Sequence, residues 1–252
     1  APLRAAALER DVGATAADDP VLTIDVGNIQ TAVAVWHGGR PVYRAQLGSD
    51  PRRTGDELGM QLARCLDDGG IALPAVRGAV VACVVPALGD AVTAACRRLL
   101  GRAPLVVGPG LRTGLAIRTE QPREVGADRI ANAVAAVARF GAPVLIVDLA
   151  TALSIDVVDA AGDYVGAVIA PGLEVSAEAL ARRTAQLARV PLVAPPSPIG
   201  DSTARGLQSG LVLGQAAMID GLVARLKAAI GSAPVIATGE SSAAAAVVAE
   251  CR

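Results

Sequence analysis

Two short stretches hold the residues whose types and spacing could do phosphate chemistry: "LTIDVGNIQTAVAV" and "LIVDLATALSIDVV", about half the chain apart. In each, an apolar run meets an aspartate, Asp25 or Asp148, turns through small or polar residues and resumes as a second apolar run. A strand that ends in Asp and turns sharply presents backbone N–H groups beside a carboxylate. Such N–H groups can hold phosphate oxygens, and the carboxylate can take Mg2+ directly or through water. Asn28 adds a neutral donor to the first turn. A third glycine turn, "IATGE" at 236–240, is placed to pass close to a nucleotide. "PREVGADRIANAVAAVARFG" adds two groups after the break at Gly126. Asp128 can cap the following helix or accept a proton from a substrate hydroxyl, and Arg129 can neutralise an anionic group. Spacing alone leaves both roles of Asp128 open.

The elements that must position these groups come in two similar sets. "VLTIDVGN", "QTAVAVWHG" and "RPVYRAQLG" are short β patterns with tight glycine turns between the last two, which predicts an antiparallel meander. "DPRRTGDELGMQLARCLDDGG" predicts a helix with Pro near its start and Gly at its end. "RGAVVACVVP" predicts a buried strand leading into the helix "ALGDAVTAACRRLLG", and "APLVVGPG" a last short strand. The second half repeats the order: a run to Asp148, two strands joined at "DAAGD", helices at "LEVSAEALARR" and "STARGLQSGLVLGQAAMIDGLVARLKAAIG", then "APVIATGE". The repeat predicts two similar α/β domains, residues 21–118 and 119–252, facing across a cleft in which the two Asp turns grip a polyphosphate. Residues 1–20 read as a poorly ordered tail.

Composition narrows the function classes. The 252 residues are 52% hydrophobic, 2% aromatic and carry a formal net charge of −1. The near-neutral balance gives no electrostatic footprint for nucleic acid or anionic lipid. The scarcity of aromatics argues against base-stacking platforms. Cys65, Cys83, Cys96 and Cys251 form no CxxC pair and read as small core residues. His37, the single histidine, sits beside the turn "HGGR", so Ser–His and Cys–His nucleophilic chemistry has little to work with. No apolar run reaches transmembrane length without interruption by Pro, Gly, Asp or Arg, and the N-terminal stretch lacks the apolar core of a signal peptide. A reducing cytoplasm is the expected location.

Taken together, "DVGN", "DPRRTGDELG", "VVGPG", "PREVGADRIANAVAA", "VDLATALSIDVV", "GDYVGAVIAPGLEVSAEALARRTAQL", "IGDSTARGLQSGLVLG" and "IATG" resemble type III pantothenate kinases, over nearly everything from residue 21 to 240. The resemblance implies two duplicated actin-like (ribonuclease H-like) α/β domains with a nucleotide cleft between them. It also implies a cytoplasmic homodimer that transfers the ATP γ-phosphoryl group to pantothenate, with Mg2+ and a monovalent cation (K+ or NH4+). Position by position, Asp25, Val26, Gly27, Asn28, Ile29, Gln30, Thr31 and Ala32 match the ATP phosphate loop, with Asp25 near Mg2+. Thr151 and Gly239 match further ATP contacts, and Asp148 the monovalent-cation ligand. Asp128 matches the catalytic base. Gly126, Ala127, Asp128, Arg129, Thr119 and Thr184 fall at pantothenate-contacting positions.

The chain departs from that family's pattern near the chemistry. Ile29 stands where a threonine is usual, Thr119 where a tyrosine is, Ala150 where a glycine is, and Glu240 where a second glycine follows "ATG"; Leu153 and Ser154 replace threonines. Loss of the hydroxyl at position 29 is worth about 1–3 kcal/mol if nothing replaces it, which predicts weak ATP binding. Three readings follow: a pantothenate kinase, a kinase with a different small-molecule acceptor, or a non-catalytic regulatory or scaffolding homologue. The helix after "GADR", with Ile130, Val134, Val137 and Ala138 on one face, is expected at a dimer interface.

Overall fold

In β1 (Val21–Val26) alternate side chains Leu22, Ile24 and Val26 are almost wholly buried, while Asp25 is exposed on the opposite face. β2 (Gln30–His37) and β3 (Arg40–Gly48) follow antiparallel, as the meander pattern requires. β4 (Gly78–Cys83) and β5 (Leu105–Val106) add in parallel, giving a sheet ordered β3-β2-β1-β4-β5. These positions belong to a computed structural model that describes residues 19–108, 110–239, 241 and 243–251. All but the last two residues of the expected tail, together with Glu240, lie outside the described residues.

Two helices cover the core face of this sheet. α1 (Gly55–Asp68) starts at a capping box in which Thr54 and Glu57 satisfy each other's backbone N–H groups, so Thr54 rather than Pro51 sets its start. It buries Leu58, Leu62, Cys65 and Leu66; α2 (Pro86–Leu100) buries Leu88, Val92, Ala95 and Cys96 and stops at left-handed Gly101. The helices approach closely because Gly55 meets Ala91 and Ala94: a Cβ there would lie 3.0 Å from the Ala91 carbonyl oxygen. Small side chains take the place of aromatic bulk in this core.

The second sheet repeats the first without its last strand. β6 (Val144–Leu149), β7 (Ala152–Val158) and β8 (Tyr164–Pro171) form an antiparallel meander, β9 (Val235–Thr238) joins parallel to β6, and the order is β8-β7-β6-β9. Asp25 and Asp148 occupy the same place in β1 and β6, next to last, so the duplication read in the sequence is a duplication of strand register. Both sheets have the actin-like, ribonuclease H-like arrangement. One difference separates the two aspartates: Asp25 is exposed, whereas Asp148 is only 9% exposed.

α3 (Ala127–Phe140) is shared between the two units, and with the second sheet go α4 (Leu173–Arg183), α5 (Thr203–Gln208), a π-helical turn (Ser209–Leu213), α6 (Gly214–Ile230) and α7 (Ala244–Glu250). The last of these carries no expectation from the sequence. Helical segment Thr203–Ile230, interrupted by Arg205, Asp220, Arg225 and several glycines, still has a mean hydropathy of 1.3 over its best window and is long and apolar enough to cross a membrane. It sends Leu211, Val212, Ala216 and Ile219 into the core with Leu145, Val147 and Ile155, as the core helix of a globular unit does.

The chain divides into two compact units, each with its own core. One takes the described residues through Thr113 together with Gln121–Asn132, and the other takes Gly114–Glu120 and the chain from Ala133. Where the sequence suggested one boundary after residue 118, the chain is exchanged between the units three times, the last time within α3.

Candidate active site

The first Asp turn is built by a hydrogen bond from the Gly27 N–H to the Gln30 carbonyl (2.9 Å), which leaves Asn28 and Ile29 exposed at its tip. A second loop braces it. The Ser49 N–H donates to the Ile29 carbonyl at 2.9 Å, and the Ser49 and Thr31 hydroxyls pair at 2.8 Å. Thr31 is 3% exposed and Val26 2%, so both side chains face the core and these two residues can meet a ligand only through backbone. Ala32, opposite Asp25 in the ladder, is exposed. The Gln30 Oε1 atom is buried with no hydrogen-bond partner, a cost that a ligand donor or a water would relieve. Ile29, at 53% exposure, has no packing duty at the tip.

This turn and the "GADR" segment meet within one unit through Val84. The Val84 N–H donates to the Val26 carbonyl at 3.0 Å, and the Val84 side chain lies where a Cβ on Gly126 would be only 3.6 Å away. Asp128 is the second residue of α3 rather than its cap, and its Oδ1 accepts the Arg129 N–H at 2.8 Å. The same oxygen would sit 2.5 Å from a Gly126 Cβ. The carboxylate is thus folded over position 126, which only glycine leaves open. Ala127 is buried and Arg129 half-buried. Cys83 ends β4 beside β1; burial pushes its thiol up, and the nearby Asp25 charge adds to that shift. Reading the sequence singled out neither Val84 nor Ser49, because apolar and hydroxyl residues after a strand carry no chemical signature.

The other unit holds the second Asp turn. Asp148 pairs with Ser154 on one side and Thr238 on the other. Two glycines frame the turn that follows it. A Cβ on Gly239 (φ +133°) would lie 2.2 Å from the Leu149 carbonyl oxygen, and one on Gly172 would lie 2.3 Å from that of Ala150 and 2.4 Å from that of Thr151. Thr151 is half-buried and its carbonyl accepts the Gly172 N–H at 3.1 Å. Gly172 was not anticipated as a site residue, although an "APG" directly after a strand is the kind of signal that could have found it. Behind it, the Gln215 amide donates to the Pro171 carbonyl at 3.3 Å.

The expected acceptor residues of this unit differ in their state. Thr119 Oγ1 is buried with no partner. Thr184 is exposed and ends α4; its hydroxyl donates to the Leu180 carbonyl at 2.8 Å and accepts the Leu187 N–H at 3.3 Å. Its side chain is therefore committed locally and would have to exchange a bond to meet a ligand.

Comparison with known proteins gives the family. The profile of the family described as type III pantothenate kinase matches residues 21–225. The type III pantothenate kinase of Syntrophotalea carbinolica is 42% identical over 220 residues, covering 87% of this chain and 86% of that protein. Type III pantothenate kinase 2 of Symbiobacterium thermophilum is 42% identical over 226 residues, covering 88% and 86%. Among solved structures, component A of Acidaminococcus fermentans (R)-2-hydroxyglutaryl-CoA dehydratase matches with a TM-score of 0.50 at 14% identity, over 92% of this chain and 87% of that one. That last likeness is one of fold alone.

Proposed function

The chain belongs to the type III pantothenate kinase family, and from that premise we propose how its residues divide the work. The reaction is ATP-dependent phosphorylation of pantothenate, the first step of coenzyme A biosynthesis. The pantothenate hydroxyl oxygen bonds to the γ-phosphorus, the bond from that phosphorus to the bridging oxygen breaks, ADP leaves, and Asp128 takes the hydroxyl proton. Phosphoryl transfer asks a protein mainly for positioning and charge stabilisation. The Gly27–Gln30 turn holds phosphate oxygens with backbone N–H groups, and Arg129 faces negative charge on the acceptor side.

The observation that carries this reading is the position of Val84, which brings the Gly27–Gln30 turn and the segment bearing Asp128 to the same end of the first sheet. Among the described residues no three His, Cys, Asp or Glu side chains cluster as a metal site. The exposed carboxylate of Asp25 suits Mg2+, which keeps waters and takes most of its ligands from nucleotide phosphates. Mg2+ there would neutralise charge on the transferring phosphate. Asp148 is the residue for a monovalent cation, K+ or NH4+. The enzyme acts in the cytoplasm as a homodimer. Ile130 is 1% exposed and is spent inside its own chain, so the dimer contact uses the far end of α3, where Ala138 is exposed and Phe140 is 43% exposed.

The test is ADP release with and without pantothenate for the wild type, Asp128→Asn and Asp148→Asn, with thermal stability as the folding control. Asp128→Asn should lose about 10²–10⁴-fold in kcat while nucleotide affinity holds. Asp148→Asn should weaken ATP binding and K+ dependence together. Full turnover by Asp128→Asn removes the base assignment, and a monomeric mass at micromolar concentration removes the dimer.

A further inference from the structure

Outside the groups just assigned, the second unit holds one buried acid–phenol pair that the reaction does not use. Asp156 and Tyr164 are both 0% exposed, and the Tyr164 hydroxyl donates to Asp156 Oδ1 at 2.5 Å. Ser154 donates from the other side, to Oδ2, at 3.4 Å. A buried carboxylate is costly unless hydrogen-bonded, and a fully buried tyrosine hydroxyl needs an acceptor, so each fixes the other's depth in the sheet. Phenylalanine would fill the same volume without that constraint.

Tyr164 is also the residue to which a separate segment is fastened. Its N–H donates to the Ala116 carbonyl and its own carbonyl accepts the Arg118 N–H, both at 2.8 Å, with Ile117 bridged parallel to it. The Arg118 guanidinium donates to Asp163 Oδ2 at 2.9 Å, a second fastening one residue away. The next residue along the segment is Thr119, whose buried hydroxyl has no protein partner.

We propose that Tyr164, set in depth by Asp156, is a positioning residue that pins Ala116–Arg118 to the edge of β8 and so places the Thr119 hydroxyl for the acceptor. The proposal rests on the assignment of Thr119 to the pantothenate side. Backbone bonds alone would hold the segment at any residue; the buried phenol fixes which way and how deep it sits. A misplacement of about 1 Å in a positioning group is worth up to about 100-fold in rate.

The experiment uses the full chain with Tyr164→Phe and reads hydrogen exchange, pantothenate and ATP affinity by calorimetry, and steady-state kinetics. The Arg118 amide should exchange about 10-fold faster or more while β6 and β7 amides keep their protection. Pantothenate Kd and KM should rise about 10-fold with kcat and ATP affinity within about twofold. Unchanged exchange at Arg118 overturns the anchor. Faster exchange with unchanged pantothenate affinity overturns its role, as does equal weakening of both ligands. If Tyr164→Phe does not fold, Arg118→Ala loosens the same segment from its exposed side and should raise pantothenate KM about threefold; no change there overturns the proposal. A wild type that neither binds nor phosphorylates pantothenate defeats the acceptor assignment instead, and the exchange measurement still decides the anchor.

Discussion

Gly126→Ala should move the Asp128 carboxylate, the proposed base, without replacing it. A Cβ at this position would lie 2.5 Å from Asp128 Oδ1 and 3.6 Å from both Asp128 Cγ and Val84 Cγ1. Val84 is already at ordinary van der Waals distance, so the carboxylate oxygen is what must give way. Restoring a contact of about 3.4 Å pushes that oxygen by close to 1 Å, which is worth roughly 100-fold in rate for a group that must meet a reacting proton. That corresponds to about 2.7 kcal/mol of transition-state stabilisation. Folding should suffer far less. Gly126 is not among the glycines with left-handed φ, so alanine fits its backbone, and alanine directly before a helix costs roughly 1 kcal/mol. The assay is pantothenate-dependent ADP release, with ATP affinity by titration and melting temperature as controls. The expected result is a kcat near 1% of wild type, with ATP affinity held within about threefold. A variant that keeps kcat within about threefold would refute the reasoning. So would a loss larger than that of Asp128→Asn, since displacing a base cannot cost more than removing it.

Ile29→Thr restores a hydroxyl at an exposed turn tip that owes nothing to the core, and should tighten ATP binding by roughly 5- to 150-fold in a direct titration; an unchanged Kd means the lost hydroxyl was not a phosphate contact. Gly239→Ala drives a Cβ to 2.2 Å from the Leu149 carbonyl oxygen at φ +133°, so it should lower the urea midpoint by an amount equivalent to roughly 2–4 kcal/mol. Burial lifts the Cys96 thiol to about 11. A folded-state value raised above the unfolded one leaves its contribution intact below the unfolded value, near 8.5, and removes it as pH climbs toward 11. Stability should therefore fall by about 3 kcal/mol across that alkaline window, and Cys96→Ala should flatten the fall in urea titrations at pH 8 and pH 11.

The two aspartates show how far local pattern reaches. A period-2 run broken by Asp and a small-residue turn is a local event, so the sequence by itself determined the strand–Asp–turn–strand units and the equivalent places of Asp25 and Asp148, while the order of strands in each sheet came from the tertiary structure. The family-specific "GADR" and "APG" blocks likewise determined which reaction to expect. Long-range packing decided the rest. Nothing near Thr31 says that its hydroxyl is spent on Ser49, because that partner arrives from the end of β3. Nothing near Asp128 says that its carboxylate lies over Gly126 beside Val84, because that contact joins segments some forty residues apart. The exposure of Asp25 against the burial of Asp148 was equally out of reach: both sit at one register position, and only the packing around each sheet separates them. Sequence names the groups that can carry charge. Tertiary structure decides which of them keep a free atom for the substrate, since that depends on which neighbours, distant in the chain, have already taken their hydrogen bonds.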